Sequence, residues 1–225
     1  MSQVVVHNFS ISLDGYGTGE GLTQQEPFGH AGERLHTWMF ATRMWARMTG
    51  DPDPSAGSTG IDDLLASRHE RGVGAEIMGR GKWSWRSGPV TDVGTDGEWR
   101  GWWGEDPPFH TPVFVLTHHP RPPLEMEGGT TFHFLDASPA QALEIAKEAA
   151  GGLDVRIGGG PSIVRDFLAA GLIDTAHLVQ VPILLGRGVN LWTGLEGLEE
   201  HYAIEAIPSP SGVVHLLLSR RGSAS

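Results

Sequence analysis

Residues 154–166 read DVRIGGGPSIVRD, and the reading of the whole chain works outward from them. A short apolar strand, residues 155–157, feeds three consecutive glycines, and a helix starts directly after them at Gly160-Pro161. Ile163, Val164, Phe167 and Leu168 fall on one face of that helix and Gly171 ends it. Glycine lets a backbone approach a ligand closely, and a helix N-terminus offers unpaired N–H groups at a positive dipole end. The arrangement meets the physical requirement for holding a pyrophosphate. Strand–glycine–helix turns also occur simply to let strand and helix pack, so this segment alone leaves both readings open.

Two further segments weigh on the choice. Residues 75–85 read AEIMGRGKWSW, a strand, a glycine, then Arg80 and Lys82 at the start of a short helix. Two cations there suit a phosphate beyond the pyrophosphate, whereas a site for free ribose hydroxyls favours an acid. Residues 112–121, PVFVLTHHPR, end a strand on Thr117, His118 and His119, followed by Arg121. Hydroxyl, imidazole and guanidinium at a strand's C-terminal end fit the crevice where open α/β sheets bind ligands.

Strand patterns are expected at residues 4–11, 75–78, 113–117, 131–135, 155–157, 176–185 and 213–218, and helical ones at 32–47, 61–70, 139–149 and 162–170. Their alternation argues for βαβ units and a mostly parallel sheet, closed by an antiparallel pair where no helix separates the last two strands. Asp136-Ala137-Ser138-Pro139 supplies a cap and a first-turn proline for the helix that Gly151 closes. Residues 49–60 and 91–108 read as loop insertions in a single domain spanning 1–225.

The chain has 225 residues, a net charge of −11 and no cysteine. The length suffices for one well-packed core, and disulfides, thiolate zinc sites and cysteine nucleophiles are excluded. The acidic surface disfavours nucleic acid and anionic membranes as partners. With no basic leader or membrane-length apolar run, the expectation is a cytoplasmic protein. His118 and His119, adjacent on a strand, point to opposite faces and cannot easily chelate one ion, so no metal site is expected.

The order strand–MGR–helix, strand–LTH–loop, strand–IGGG–helix resembles the dihydrofolate reductase family and the reductase domain of riboflavin biosynthesis. Ser12-Leu13-Asp14-Gly15, Gly171-Leu172-Ile173-Asp174 and Pro182 to Gly186 resemble riboflavin-type stretches. The resemblance implies a dihydrofolate-reductase-like three-layer α/β fold with helices on both faces, NADPH as cofactor, a small heterocyclic substrate and a homodimer. It implies a reductase of the 5-amino-6-(5-phosphoribosylamino)uracil type. Dihydrofolate reductase and a non-catalytic NADP-binding sensor are the alternatives.

Carried over residue by residue, the resemblance puts Gly79, Arg80, Gly81 and Lys82 at the adenosine-side phosphates, with Arg80 on the 2′-phosphate. Leu116, Thr117 and His118 fall beside the adenine ribose, and Gly158, Gly159, Gly160, Ser162 and Ile163 under the pyrophosphate. Ser10, Asp14 and the loop around Tyr16 to Gly19 match a mobile segment that covers the nicotinamide. Riboflavin-type reductases carry an acid where this chain has Gly158, and the zinc deaminase fused to many of them cannot exist without cysteine.

Hydride transfer to a C=N or an opened ribosylamine benefits from a proton donor. The candidates are Asp14, Glu33 and His36, the last two being three apart on the expected helix and able to form a relay. The bland readings are a turn-forming Asp-Gly and an ordinary solvated helix turn. Trp99, Trp102 and Trp103 are read as packing or interface residues rather than substrate contacts.

Overall fold

A computed structural model describes residues 2–70, 72–85 and 99–222, so residues 91–98 of the second insertion lie outside the description. Its strands are β1 (Val4–Ser12), β2 (Tyr16–Thr18), β3 (Val73–Gly79), β4 (Pro112–Leu116), β5 (Leu124–Glu125) and β6 (Thr131–Leu135). They continue with β7 (Asp154–Gly159), β8 (Thr175–Val181), β9 (Val189–Asn190), β10 (Tyr202–Pro208) and β11 (Val214–Arg220). The helices are α1 (Thr37–Phe40), α2 (Arg43–Met48), α3 (Ile61–Ala66), α4 (Arg80–Trp83), α5 (Pro139–Ala149), α6 (Pro161–Ala169) and α7 (Leu198–His201).

Nine strands form one sheet in the order β10-β11-β8-β1-β7-β3-β4-β6-β5. The six from β8 to β6 run parallel, and antiparallel strands finish both edges. The steps β6 to β7 and β7 to β8 cross the sheet in the same direction. Right-handed crossovers therefore put α5 and α6 on one face, and the opposite step from β1 to β3 puts α1–α3 on the other.

The first face buries Val6, Ile77, Val155 and Ile157 against Leu143, Ala146, Val164 and Phe167. The second buries Val179 and Val181 under Leu35, Trp38 and Met44, and separately Met78, Val115, Phe132 and Phe134 under Trp83. The three-layer arrangement expected from the sequence is the one observed. Trp99, Trp103 and Phe109 pack on that aromatic cluster, and Trp99 Nε1 donates to Trp83 O at 2.9 Å.

The α5 boundaries follow the sequence: Ser138 and Gln141 form a capping box, Pro139 stands in the first turn, and Gly151 takes φ +59°. Such a cap contributes about 1 kcal/mol. The helix expected over 32–47 is broken instead. Gly32, at φ 54° and ψ −149°, interrupts a 3₁₀ turn at Gly29–Leu35, and Thr42 leaves helical geometry to cap α2 through its hydroxyl. Strand β8 stops at Val181 because Pro182 has no N–H to continue the ladder. The edge strand β10 escapes sequence reading because Ala203 to Ala206 are exposed on both faces and carry no in–out alternation. It extends the expected antiparallel pair of β8 and β11 to three strands.

Candidate functional site

Three neighbouring parallel strands end side by side: Gly79 is registered with Leu116, and Met78 with Gly159. The turn carrying Arg80, the strand end carrying Thr117 and the triple glycine thus meet at one edge. Contact is close there, since a Cβ on Gly79 would stand 2.6 Å from Ile163 Cγ1 in α6. Gly159 has φ +102°, which a side chain would oppose, and the Gly159–Gly160 peptide is cis. Gly160 precedes α6 with no side-chain cap, so the opening turn presents backbone to the cleft.

Arg80 and Lys82 face in different directions. The Arg80 side lines a small cleft with Trp83, Thr117, His119, Arg121 and Phe134. Its Nε and Nη2 are buried without a hydrogen-bond partner among the described residues, and burial draws its pKa below the ordinary arginine value. A buried guanidinium lacking acceptors is costly unless something else supplies them. The Arg121 guanidinium lies against the Trp83 and Phe134 rings, 5.7 and 5.1 Å from their centroids.

Lys82 instead turns toward β7, where its Nζ lies 2.9 Å from Glu76 Oε1. Glu76 is fully buried, and its other oxygen accepts from Arg156 Nε at 2.6 Å. Burial pushes the Glu76 pKa up, but Arg156 and Lys82 outweigh it and hold the carboxyl below its usual value. The Lys82 ammonium also sits over Trp103 and Phe109, 5.9 and 5.6 Å from the ring centroids. Gly81, between the two cations, has open space where a side chain would stand.

Thr117 lines the cleft and its Oγ1 accepts from the His119 amide, whereas Leu116 packs against the core shared with α5 and α6. His118 does not line the cleft: its side chain is exposed and pairs with Asp136 at 3.1 Å. His119 lines it instead. Ser162 and Ile163 start α6 beside the glycine turn. Ser10 is buried one layer away, its hydroxyl accepting from Trp38 Nε1 at 3.0 Å.

The three proton-donor candidates are not brought together. Asp14 accepts from Ser12 Oγ at 2.5 Å and from the Leu185 and Gly186 amides, bracing the loop after β8. What burial it has pushes the pKa up, but those bonds outweigh it and hold the carboxyl below its usual value, so Asp14 stays ionised. Glu33 is exposed. His36 rests against the Phe28 and Phe40 rings, and burial lowers its pKa to about 4, keeping it neutral. The break at Gly32 lies before both residues, and the His36 amide still donates to Glu33 O at 2.8 Å, but the Glu33 side chain is exposed while the His36 ring is packed against Phe28. The loop matched to a mobile cover is pinned as β2 against β9, with Asn190 Nδ2 donating to Asp14 O at 2.8 Å.

Glu76 and Arg156 thus stand beside the cation-bearing turn although sequence reasoning singled out neither, whereas His119 and Arg121 line the cleft, as the crevice reading of residues 112–121 expected. The signal for Glu76 was present, a lone acid inside the apolar strand AEIMG. Among the described residues no group of side chains is arranged to hold a metal ion, and no helix is long and apolar enough to cross a membrane.

The chain is similar to a putative riboflavin biosynthesis protein from Shewanella sp. PV-4, with 23% identity, a TM-score of 0.54, and 98% of this chain and 99% of the other covered. It is also similar to a Thermotoga maritima diaminohydroxyphosphoribosylaminopyrimidine deaminase/5-amino-6-(5-phosphoribosylamino)uracil reductase, with 14% identity and a TM-score of 0.51. There 97% of this chain matches 56% of that one. An Enterococcus faecalis dihydrofolate reductase complexed with NADP(H) aligns at 12% identity and a TM-score of 0.49, covering 97% and 96%. At these identities the first two likenesses establish a shared fold. No curated protein matches the chain. Residues 3–209, nearly the whole chain, match the family model for the RibD C-terminal domain, and the protein belongs to that family.

Proposed function

We propose that the chain is an NADPH-dependent reductase of a nitrogen heterocycle, acting on a substrate like 5-amino-6-(5-phosphoribosylamino)uracil. The observation that carries the reading is Arg80: two buried guanidinium nitrogens without partners among the described residues, on a side chain that lines a small cleft with Thr117, His119 and Arg121, one strand from the glycine turn. A doubly charged 2′-phosphate supplies the acceptors those nitrogens lack. Gly159, Gly160 and the start of α6 are suited to the pyrophosphate. The residues present therefore fit the dinucleotide. When bound, it supplies the hydride. The protein's own work is to fix the two phosphate ends, so that the reducing ring is held in one position against the substrate. The same reading includes the homodimer that the resemblance implies and the cytoplasmic location expected from the sequence.

Titration of NADPH and NADH against the wild type and Arg80→Ala tests it. Loss of one charge-assisted site predicts NADPH binding weaker by about 10- to 100-fold, with NADH changed by less than about threefold. Equal losses for both cofactors, or no NADPH binding to the wild type, would falsify the assignment.

A further inference from the structure

Resting on that reductase reading, we propose that Lys82 is the residue that meets the substrate: its ammonium, anchored by Glu76, donates to the substrate atom that gains a proton during reduction. Four observations converge on it.

Lys82 is in the same short helix as Arg80 but points to the other side of the turn, away from the phosphate cleft. A Cβ on Gly158 would stand 2.8 Å from its Nζ, so the ammonium lies directly over the first glycine of the triple-glycine bend. The side chain is 29% exposed while its partner Glu76 is fully buried. One ammonium proton is thus committed to the carboxylate, and the exposed remainder of the group retains donors. Phe109 and Trp103 cover it from the second face of the sheet, and such partial exclusion of water strengthens a charged donor.

The residue type adds weight. Of 16 Lys and Arg residues only Lys82 and Lys147 are lysines. Lys147 is on the outer surface of α5 beside Glu144. The other 14 cations are arginines, which cannot release a proton at accessible pH. The one half-buried ammonium stands beside the glycine turn. Asp14, Glu33 and His36 leave the role open, being respectively braced into a loop, exposed and buried as a neutral ring.

The step balances. The substrate carbon of a C=N bond accepts a hydride from the reduced dinucleotide and forms C–H. The π pair moves onto nitrogen as one Nζ–H bond of Lys82 breaks and an N–H bond forms. Lys82 is left as a neutral amine and regains its proton from water, with Glu76 favouring the recharged form.

Trace acetylation of amines with acetic anhydride, read by mass spectrometry with Lys147 as internal reference, tests the placement without turnover. Lys82 is expected to react in the folded protein and to stay reactive with saturating NADP⁺. Lys82→Met is expected to bind NADPH within about threefold of wild type and to reduce dihydrofolate or the ribosylaminouracil phosphate with kcat lower by about 100-fold or more. Protection of Lys82 by NADP⁺ alone, with NADPH weakened as much as in Arg80→Ala, would make it a cofactor phosphate ligand and overturn the proposal. Failure of Lys82 to acetylate in the folded protein would make it a structural strut and overturn it equally. A wild type that binds no NADPH is a separate failure, that of the reductase reading itself.

Discussion

The Glu76 carboxylate on β3 occupies the space beside Gly158 on β7: a Cβ at Gly158 would stand 2.6 Å from Glu76 Cδ and closer still to Oε1. The neighbouring strand thus supplies an acid at the first position of the glycine turn, and glycine leaves it room. Gly158→Ala is therefore expected to destabilise the fold by about 1–3 kcal/mol through overpacking. Chemical denaturation measures it. A double mutant with Glu76→Ala should show strong non-additivity, because the colliding group is gone. Additive losses would mean that the two positions are not in contact.

Gly159 separates a cofactor effect from a stability effect. Its φ of +102° is unfavourable for a residue with a Cβ, and an added methyl would meet the Phe9 ring at 3.1 Å. Gly159→Ala should cost about 1–3 kcal/mol of stability and, on the proposed reading that puts the pyrophosphate at this turn, weaken NADPH by about tenfold or more. Thermal unfolding with and without NADPH reads both. A variant with unaltered NADPH affinity would remove this turn from the cofactor site.

Asp14 is expected to behave as a brace. Its carboxylate accepts from Ser12 and from two amides of the loop at Leu185 and Gly186. Asp14→Ala leaves those amides without their acceptor and should destabilise by about 1–3 kcal/mol. Whatever activity remains should keep the wild-type pH profile. Loss of one limb of that profile would restore Asp14 as the proton donor.

Acid should unfold this protein partly through His177. Its Nε2 lies 2.9 Å from His215 Nδ1, and His215 Nε2 lies 2.8 Å from Asp62 Oδ1, so the chain ends on a carboxylate. Burial above all, with His215, His7 and Arg68 adding to it, lowers the His177 pKa to about 3. Between that value and the unfolded one near 6.5, the unfolded chain binds the extra proton. Stability therefore falls as pH drops through this window, by up to about 1.4 kcal/mol per unit. Urea unfolding across pH 7 to 4 should show a shallower decline in His177→Gln than in wild type. Parallel declines would exclude His177 as the source.

The glycine turn, the cation-bearing turn and the Thr117 strand end were legible in the sequence because each is a local event, a strand running into residues of special backbone freedom. The capping of α5 was legible for the same reason. The broken helix after Gly32 and the edge strand β10 were not. The first depends on where α1 to α3 must settle on the sheet, and the second on pairing with β11 rather than on any pattern of its own.

Periodicity and turn chemistry in the sequence alone thus determined a parallel α/β sheet and the residues at its C-terminal edge. Tertiary structure decided which of those residues act together. It separated Arg80 from Lys82, put His119 rather than His118 at the cleft, and brought Glu76 against Gly158 from 82 residues away in the chain. The physical reason is that side-chain direction and strand adjacency are set by sheet register and packing, which local sequence does not encode.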